Sequence, residues 1–261
     1  MGVKTPLTLK EAQKLFPHYH LSELIATHSG IMDTTYLTPN YVLKKYERDI
    51  DEQIKDEHKL LASLKKIGLN VPTHLANSGD WHLYERVQGK TPNHIQSYHI
   101  QALARTLSSL HNYTYKKYSS IDIIQDREVD TLLAYTKSHF FLYYKKLSML
   151  QQYKPQHDGI IHGDIFKDNT VFDKDKLGIF DFIDAGNGSF SFDIAVVLLS
   201  FNAQKHHPFF LNLFVNTYNQ HAPKKQKKDT ILRDIEFAKS LYALKRIGRE
   251  HSTRHAKELL L

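Results

Sequence analysis

Apolar positions recur along this chain with two periods, and the switches between them outline its elements. Thr8 to Phe16 reads as a short helix, with Thr8 as N-cap and Glu11 completing a capping box. Leu21 to Ile25 leads into Ala26 to Thr38, two strands with a turn near Gly30. Pro39-Asn40 turns the chain again into a third strand, Tyr41 to Tyr46. Alternation puts Val42 and Lys44 on one strand face, Leu43 and Lys45 on the other. The period lengthens to that of a helix from Asp51 to Ile67, where Ile54, Leu60, Leu61, Leu64 and Ile67 are the apolar positions. Trp81 to Val87 returns to a strand, and Gln88-Gly89 is a break.

Beyond Pro92 the pattern is mostly helical. Tyr98 to Tyr113 repeats Ile100, Leu103, Leu107 and Leu110 at three- and four-residue spacing. Arg127 to Tyr153 reads as one long helix whose aromatic stripe (Tyr135, Phe140, Phe141, Tyr143, Tyr144) faces a core or, as the alternative, offers ring faces to a quaternary ammonium. Ile160-Ile161 is a short buried strand. Thr170 to Phe172 and Leu177 to Phe180 are two β-type runs around an Asp- and Lys-rich turn. Ser191 to Leu198 reads as a capped, buried helix, His206-His207-Pro208 as a turn, and Phe209 to Tyr218 and Ile231 to Ile247 as amphipathic helices.

Composition changes this picture little. Two lobes are well within reach of 261 residues. Hydrophobic content of 41% and charged content of 24% are those of an ordinary globular protein. No apolar run approaches the ~18 residues of a membrane span, and Met1 to Phe16 lacks the apolar centre of a signal peptide. The absence of cysteine removes thiolate metal sites and disulfides and fits a reducing cytoplasm. The histidines show no H-E-x-x-H or similar zinc spacing.

Charge is uneven. The net charge is +7, and from Lys205 onward twelve Lys and Arg stand against five Asp and Glu. Because these basic residues lie on amphipathic helical patterns, nucleic-acid binding is not expected; Lys224 to Lys228 reads as a solvated loop between helices.

The chemistry concentrates between Ile160 and Asp184. There an apolar pair runs into His162-Gly163-Asp164, Asn169 follows five residues after Asp164, and a later strand delivers Asp181 between two phenylalanines. A carboxylate among apolar neighbours is costly unless a cation or donor meets it. Asp164 suits the proton acceptor of an attacking hydroxyl, and Asn169 and Asp181 suit hard oxygen ligands for magnesium.

H-G-D-x4-N followed by I-F-D-F resembles the catalytic and metal loops of the kinase-like small-molecule phosphotransferases, the superfamily of aminoglycoside phosphotransferases, choline kinases and type II homoserine kinases. The resemblance implies an α+β, bilobal protein-kinase-like fold: a small β-rich N-lobe over residues 1–88 and a larger, mostly helical C-lobe over 89–261. It implies ATP and magnesium as cofactors. Lys44 in Y-V-L-K resembles the strand lysine that contacts the α/β-phosphates, with Lys45 as the alternative. Glu57 matches the helix glutamate that pairs with that lysine, with Glu52 as its competitor. Gly30 and Thr34 in the first hairpin are candidates for phosphate contacts, and backbone groups from Glu85 to Val87 for the adenine. Asp193 resembles a residue that supports the catalytic loop, and His111 is read as structural.

For the acceptor, I-I-H-G-D-I-F-K-D-N-T-V-F-D and A-K-S-L-Y-A-L-K-R-I look most like type II homoserine kinases. Arg246 and Arg249, three apart on one helical face, are candidates for gripping a carboxylate; Asp184 is a further substrate candidate. The basic C-terminal part favours an anionic or zwitterionic small molecule over a polycation. The alternatives are a choline- or ethanolamine-type kinase, an aminoglycoside kinase, and a nucleotide-binding relative without catalysis. The oligomeric state is not legible.

Overall fold

A computed structural model describes residues 3–27, 32–153, 156–202 and 208–260. The expected turns at Gly30 and at His206-His207 lie outside these. The chain forms two compact units, Met1–Lys90 with Val171–Ile183, and Thr91–Thr170 with Asp184–Leu261. It therefore passes between units at three points, where the sequence reading places one boundary after residue 88.

The first unit is built on an antiparallel sheet of five strands: β1 (Ile25–Ala26), β2 (Thr34–Leu37), β3 (Tyr41–Lys45), β4 (His74–Ser78) and β5 (Trp81–Glu85), in the order β1-β2-β3-β5-β4. Leu43 and Leu83 pair across β3 and β5 and pack with Ala12 and Phe16 of the N-terminal segment. Helix α1 (Leu9–Leu15) there carries the expected capping box, with the Thr8 hydroxyl accepting from the Glu11 N–H and the Glu11 carboxylate accepting from that of Thr8. The opposite sheet face meets α2 (Asp51–Lys66), which buries Ile54, Glu57, Leu61 and Leu64. Ile67, expected among the apolar positions, is exposed past the helix end.

Strand β4 was not expected. His-Leu-Ala-Asn-Ser lacks apolar alternation, and its pairing with β5 shifts between His74 and Ala76. The hairpin of β7 (Thr170–Asp173) and β8 (Lys176–Ile179) completes this unit from far along the chain. Phe172 exchanges backbone hydrogen bonds with Lys90, and the Ile179 N–H donates to the Asn70 carbonyl.

The second unit is helical around a small sheet. Its core joins Phe190, Phe192 and Val196 of α6 (Phe190–Ser200) to Phe237, Leu241 and Leu244 of α8 (Lys228–Glu250). It also holds α3 (Ser97–Thr114), α7 (Phe209–Asn219) and α9 (Arg254–Leu260), the last unforeseen. The expected single helix Arg127–Tyr153 is instead α4 (Asp126–His139), α5 (Phe141–Leu147) and a 3-10 turn, Ser148–Gln152. Phe140 leaves helical geometry, at φ −140° and ψ 56°, while its ring still packs on the core. Phe141 is exposed, so the aromatic stripe is not continuous.

The helix expected from Ser191 is capped two residues earlier, by Ser189, whose hydroxyl accepts from the Phe192 N–H. Strand β6 (Gly159–Ile161) pairs with β9 (Gly186–Gly188), also unforeseen. A Cβ at Gly186 would come within 2.5 Å of the Ile121 carbonyl oxygen, which explains why so weak a strand former stands there. The basic loop before α8 is not simply solvated. Lys224 donates to the buried Asp158 at 2.6 Å, and Gln226 is buried against Asn219.

Candidate active site

In the first unit, strand register separates the two lysines. Lys44 stands opposite His82, and Lys45 opposite Trp81. Directly opposed residues share a face, so Lys44 lies with His82 and Tyr84 on the α2 side. Its ammonium donates to Asp181 Oδ1 at 2.6 Å and lies 3.9 Å from Asp33 Oδ2. Burial pulls the Lys44 pKa down, but Asp181, Glu57 and Asp33 outweigh it and hold it above the ordinary lysine value. Lys45, on the other face, reaches Thr5 and Glu47.

The two glutamates separate as cleanly. Glu52 is exposed and pairs with Lys55, whereas Glu57 is 5% exposed. Burial raises the Glu57 pKa against the pull of Lys44 and of the Tyr46 and Tyr84 hydroxyls, which donate to its carboxylate at 2.6 and 3.2 Å. Glu57 thus acts on Lys44 by charge. The direct ion-pair partners of Lys44 among the described residues are Asp181 and Asp33, and the expected close Lys44–Glu57 pair is not formed. Asp181 follows β8 in a left-handed conformation, φ +70°, one that Asp tolerates better than most residues.

In the second unit, Asp193 organises the His162-Gly163-Asp164 turn. It is fully buried at the first turn of α6, and accepts the backbone N–H of His162 at 3.2 Å, that of Gly163 at 2.8 Å, and a 3.0 Å hydrogen bond with His111 Nε2. The other His111 nitrogen meets the Tyr218 hydroxyl at 2.7 Å. Burial raises the Asp193 pKa, yet the His111 hydrogen bond and charge, His162 and the Gly163 N–H more than offset it, and the group stays below the usual carboxylate range. Gly163 adopts φ +74°, and a Cβ there would lie 2.5 Å from the Ile123 side chain. Its carbonyl accepts from the Tyr242 hydroxyl of α8. The turn is held at both its amide and its carbonyl edges.

Asp164 is presented by this turn, half-buried. Its N–H donates to His162 Nδ1, and Asn169 Nδ2 donates to its carbonyl at 2.9 Å and its carboxylate at 3.2 Å. With Nδ2 committed to Asp164, the acceptor that the Asn169 side chain has to offer is Oδ1, a hard oxygen. Burial drives the Tyr242 hydroxyl pKa well up, reinforced by the charges of Asp164 and Asp193, so it remains a neutral donor beside Asp164.

The chain matches the APH phosphotransferase enzyme family over residues 28–225. It belongs to that family. Similar curated proteins include the homoserine kinase of Methylobacillus glycogenes, 26% identical over 76% of this chain and 70% of that protein, and that of Afipia carboxidovorans, 23% identical over 89% and 81%. Similar solved structures include the amicoumacin kinase hAmiN in complex with AMP-PNP, Ca2+ and Ami (TM-score 0.71, 16% identity, 96% of this chain and 91% of that one). Another is the ADP-bound aminoglycoside phosphotransferase APH(2'')-Ib (TM-score 0.65, 20% identity, 97% of each chain). The protein-kinase-like fold is that of these neighbours. The chain is accordingly a phosphotransferase acting on a small molecule. Among the described residues, no helix is long and apolar enough to cross a membrane.

The remaining candidates of this phosphotransferase fall in varied places. Gly30 lies outside the described residues. The Thr34 hydroxyl is engaged within its own unit: it accepts from the N–H groups of Lys4 and Thr5 and donates to Glu47 at 2.6 Å. The Glu85 and Arg86 N–H groups donate to Thr73 and Asn40, which leaves that of Val87 without a backbone partner among the described residues. Arg246 and Arg249 share a face of α8, but Arg246 donates to the His255 carbonyl at 3.3 Å. Arg249 and Asp184 are exposed. Sequence reasoning missed Tyr242, which no polar pattern marks in a helix interior.

Proposed function

We propose that this phosphotransferase is an ATP- and magnesium-dependent kinase that phosphorylates a hydroxyl group of a small amino-acid alcohol, homoserine or a close analogue. The observation that carries the reading is the Asp164–Asn169 arrangement on the turn that Asp193 anchors. It fixes a carboxylate beside a side-chain amide whose oxygen remains for a metal, and Tyr242 braces the same turn. The homoserine kinase relatives support the acceptor class, and the nucleotide complexes among the structural neighbours support the cofactor.

Asp164 accepts the proton of the attacking hydroxyl as the phosphoryl group transfers. Asn169 and Asp181 each supply a hard oxygen that suits magnesium, which when bound neutralises charge on the phosphates. Lys44, kept cationic by the carboxylates around it, binds phosphate oxygens, with Glu57 supporting its charge. Glu85 to Val87 present backbone to the adenine. Arg249 and Arg246 take the acceptor's carboxylate, and Asp184 its ammonium group. No nucleic-acid or membrane partner is proposed.

The test is phosphate transfer from ATP to homoserine, choline and kanamycin, with wild type and Asp164→Asn. Homoserine should be the best acceptor, and Asp164→Asn should lose ~10²-fold or more in turnover while binding ATP as before. Kanamycin or choline turning over in place of homoserine would reject the acceptor assignment. Undiminished turnover in Asp164→Asn would reject the base.

A further inference from the structure

Three histidines from three elements converge in the first unit. His58 lies on α2, His74 opens β4 and His82 lies within β5. One ring nitrogen from each lies within 4.8 Å of the other two. Their sequence separations match no metal motif, so the sequence reading found no zinc spacing; the sheet and helix bring them together.

Ordinary ring packing would satisfy the polar atoms of such a cluster, and here it does not. His74 Nε2 and His82 Nδ1 are buried without a hydrogen-bond partner among the described residues. Unmet buried groups of this kind are costly, because each gives up its hydrogen bonds to water and gains none in return. His58 Nε2 lies 2.9 Å from the Tyr84 hydroxyl, which itself donates to Glu57. Outward hydrogen bonds of this sort orient imidazoles that bind metals.

Burial is the main cause that holds all three rings below the ordinary histidine pKa, His58 at about 4. They are neutral at physiological pH, the form that ligates metals.

We propose that His58, His74 and His82 form a binding site for a borderline divalent transition metal, zinc foremost, separate from the oxygen donors assigned to magnesium. Three neutral nitrogens are the donors that zinc accepts and magnesium refuses. Zinc–nitrogen bonds of about 2.0–2.1 Å put tetrahedral ligands roughly 3.4 Å apart. The cluster must therefore close by up to about 1.4 Å from a present span of at most 4.8 Å. His58 and His74 are now stacked, with centroids 3.6 Å apart and planes at 16°, and must tilt for both lone pairs to converge. All three rings are only partly buried, which leaves an approach for the ion and for water as fourth ligand. An occupied site would tie α2 to β4 and β5.

The experiment is a Co2+ titration of the full chain, free of any histidine tag, at neutral pH. Excess Mg2+ is present to fill oxygen sites, no nucleotide is added, and ligand-field absorption is followed. One equivalent of Co2+ should bind at micromolar concentration, be displaced by Zn2+, and raise the unfolding temperature. His74→Gln and His82→Gln should each weaken binding about tenfold or more, whereas His20→Gln, an exposed control, should bind as wild type. Unfolding midpoints measured without metal confirm that the variants are folded, and His58→Gln provides a third, independent variant. Wild type without saturable Co2+ binding, or undiminished binding in any folded cluster variant, overturns the site.

Discussion

Lys44 and Lys45 are adjacent residues with opposite surroundings. Lys44 is enclosed by Asp181, Asp33 and the charge of Glu57, while Lys45 faces the N-terminal segment. An ammonium that holds phosphate through charge-assisted bonds contributes about 1.5–3 kcal/mol. Lys44→Ala should therefore raise the KM for ATP tenfold or more, and Lys45→Ala should leave it near wild type. Initial rates at varied ATP decide the matter, and a larger effect at Lys45 would assign the phosphate contact to the other face. The same asymmetry separates the two glutamates: Glu57 is 5% exposed with two tyrosine hydroxyls on it, whereas Glu52 is solvated and pairs with Lys55.

Elements act here by what they hold. Helix α6 presents Asp193 at its first turn, and through it binds α3 at His111 and the turn before Asp164. Removing that carboxylate leaves two backbone N–H groups and one imidazole nitrogen without their partner in the interior. Asp193→Ala should cost about 3–5 kcal/mol, the range for breaking a buried pair, and urea unfolding measures it. A loss under 1 kcal/mol would show that the turn holds without its anchor. The break between α4 and α5 shows the converse, a limit of pattern. Aromatic spacing continues across Phe140, but the backbone bends there and the ring remains on the core.

Across the whole molecule, buried ionisable groups set the response to acid. His99 is 5% exposed at the start of α3, where its Nδ1 accepts the Gln96 N–H, and burial holds its pKa below 6.5. A depressed pKa means the unfolded chain takes the proton first. The stabilisation is complete above 6.5 and is lost as pH falls from there through the lowered folded value. The lowered Asp193 pKa belongs to a later step, with its contribution retained above 3.8 and lost below it. The urea midpoint should thus decline as pH drops below 6.5. His99→Gln, whose amide keeps an acceptor for Gln96, should decline less over that range. Identical slopes in the two proteins would remove His99 from this account.

The sequence by itself determined what local order can determine: the capped first helix, the β3 and α2 patterns, and the H-G-D-x4-N turn with a β-hairpin after it that ends just before Asp181. Those features depend on hydrogen bonds and apolar periods within a few residues, and on types that leave few alternatives at each position. Periodicity says which face of an element is apolar, not what that face meets. Tertiary structure alone decided that Lys44 lies against Asp181, that Glu57 is the interior glutamate, that 171–183 joins the first unit, and that Tyr242 braces Gly163. It also gathered His58, His74 and His82, whose nearest pair in sequence is eight residues apart. Antiparallel register and helix packing set those neighbours, and both depend on contacts between residues that no short window of sequence contains.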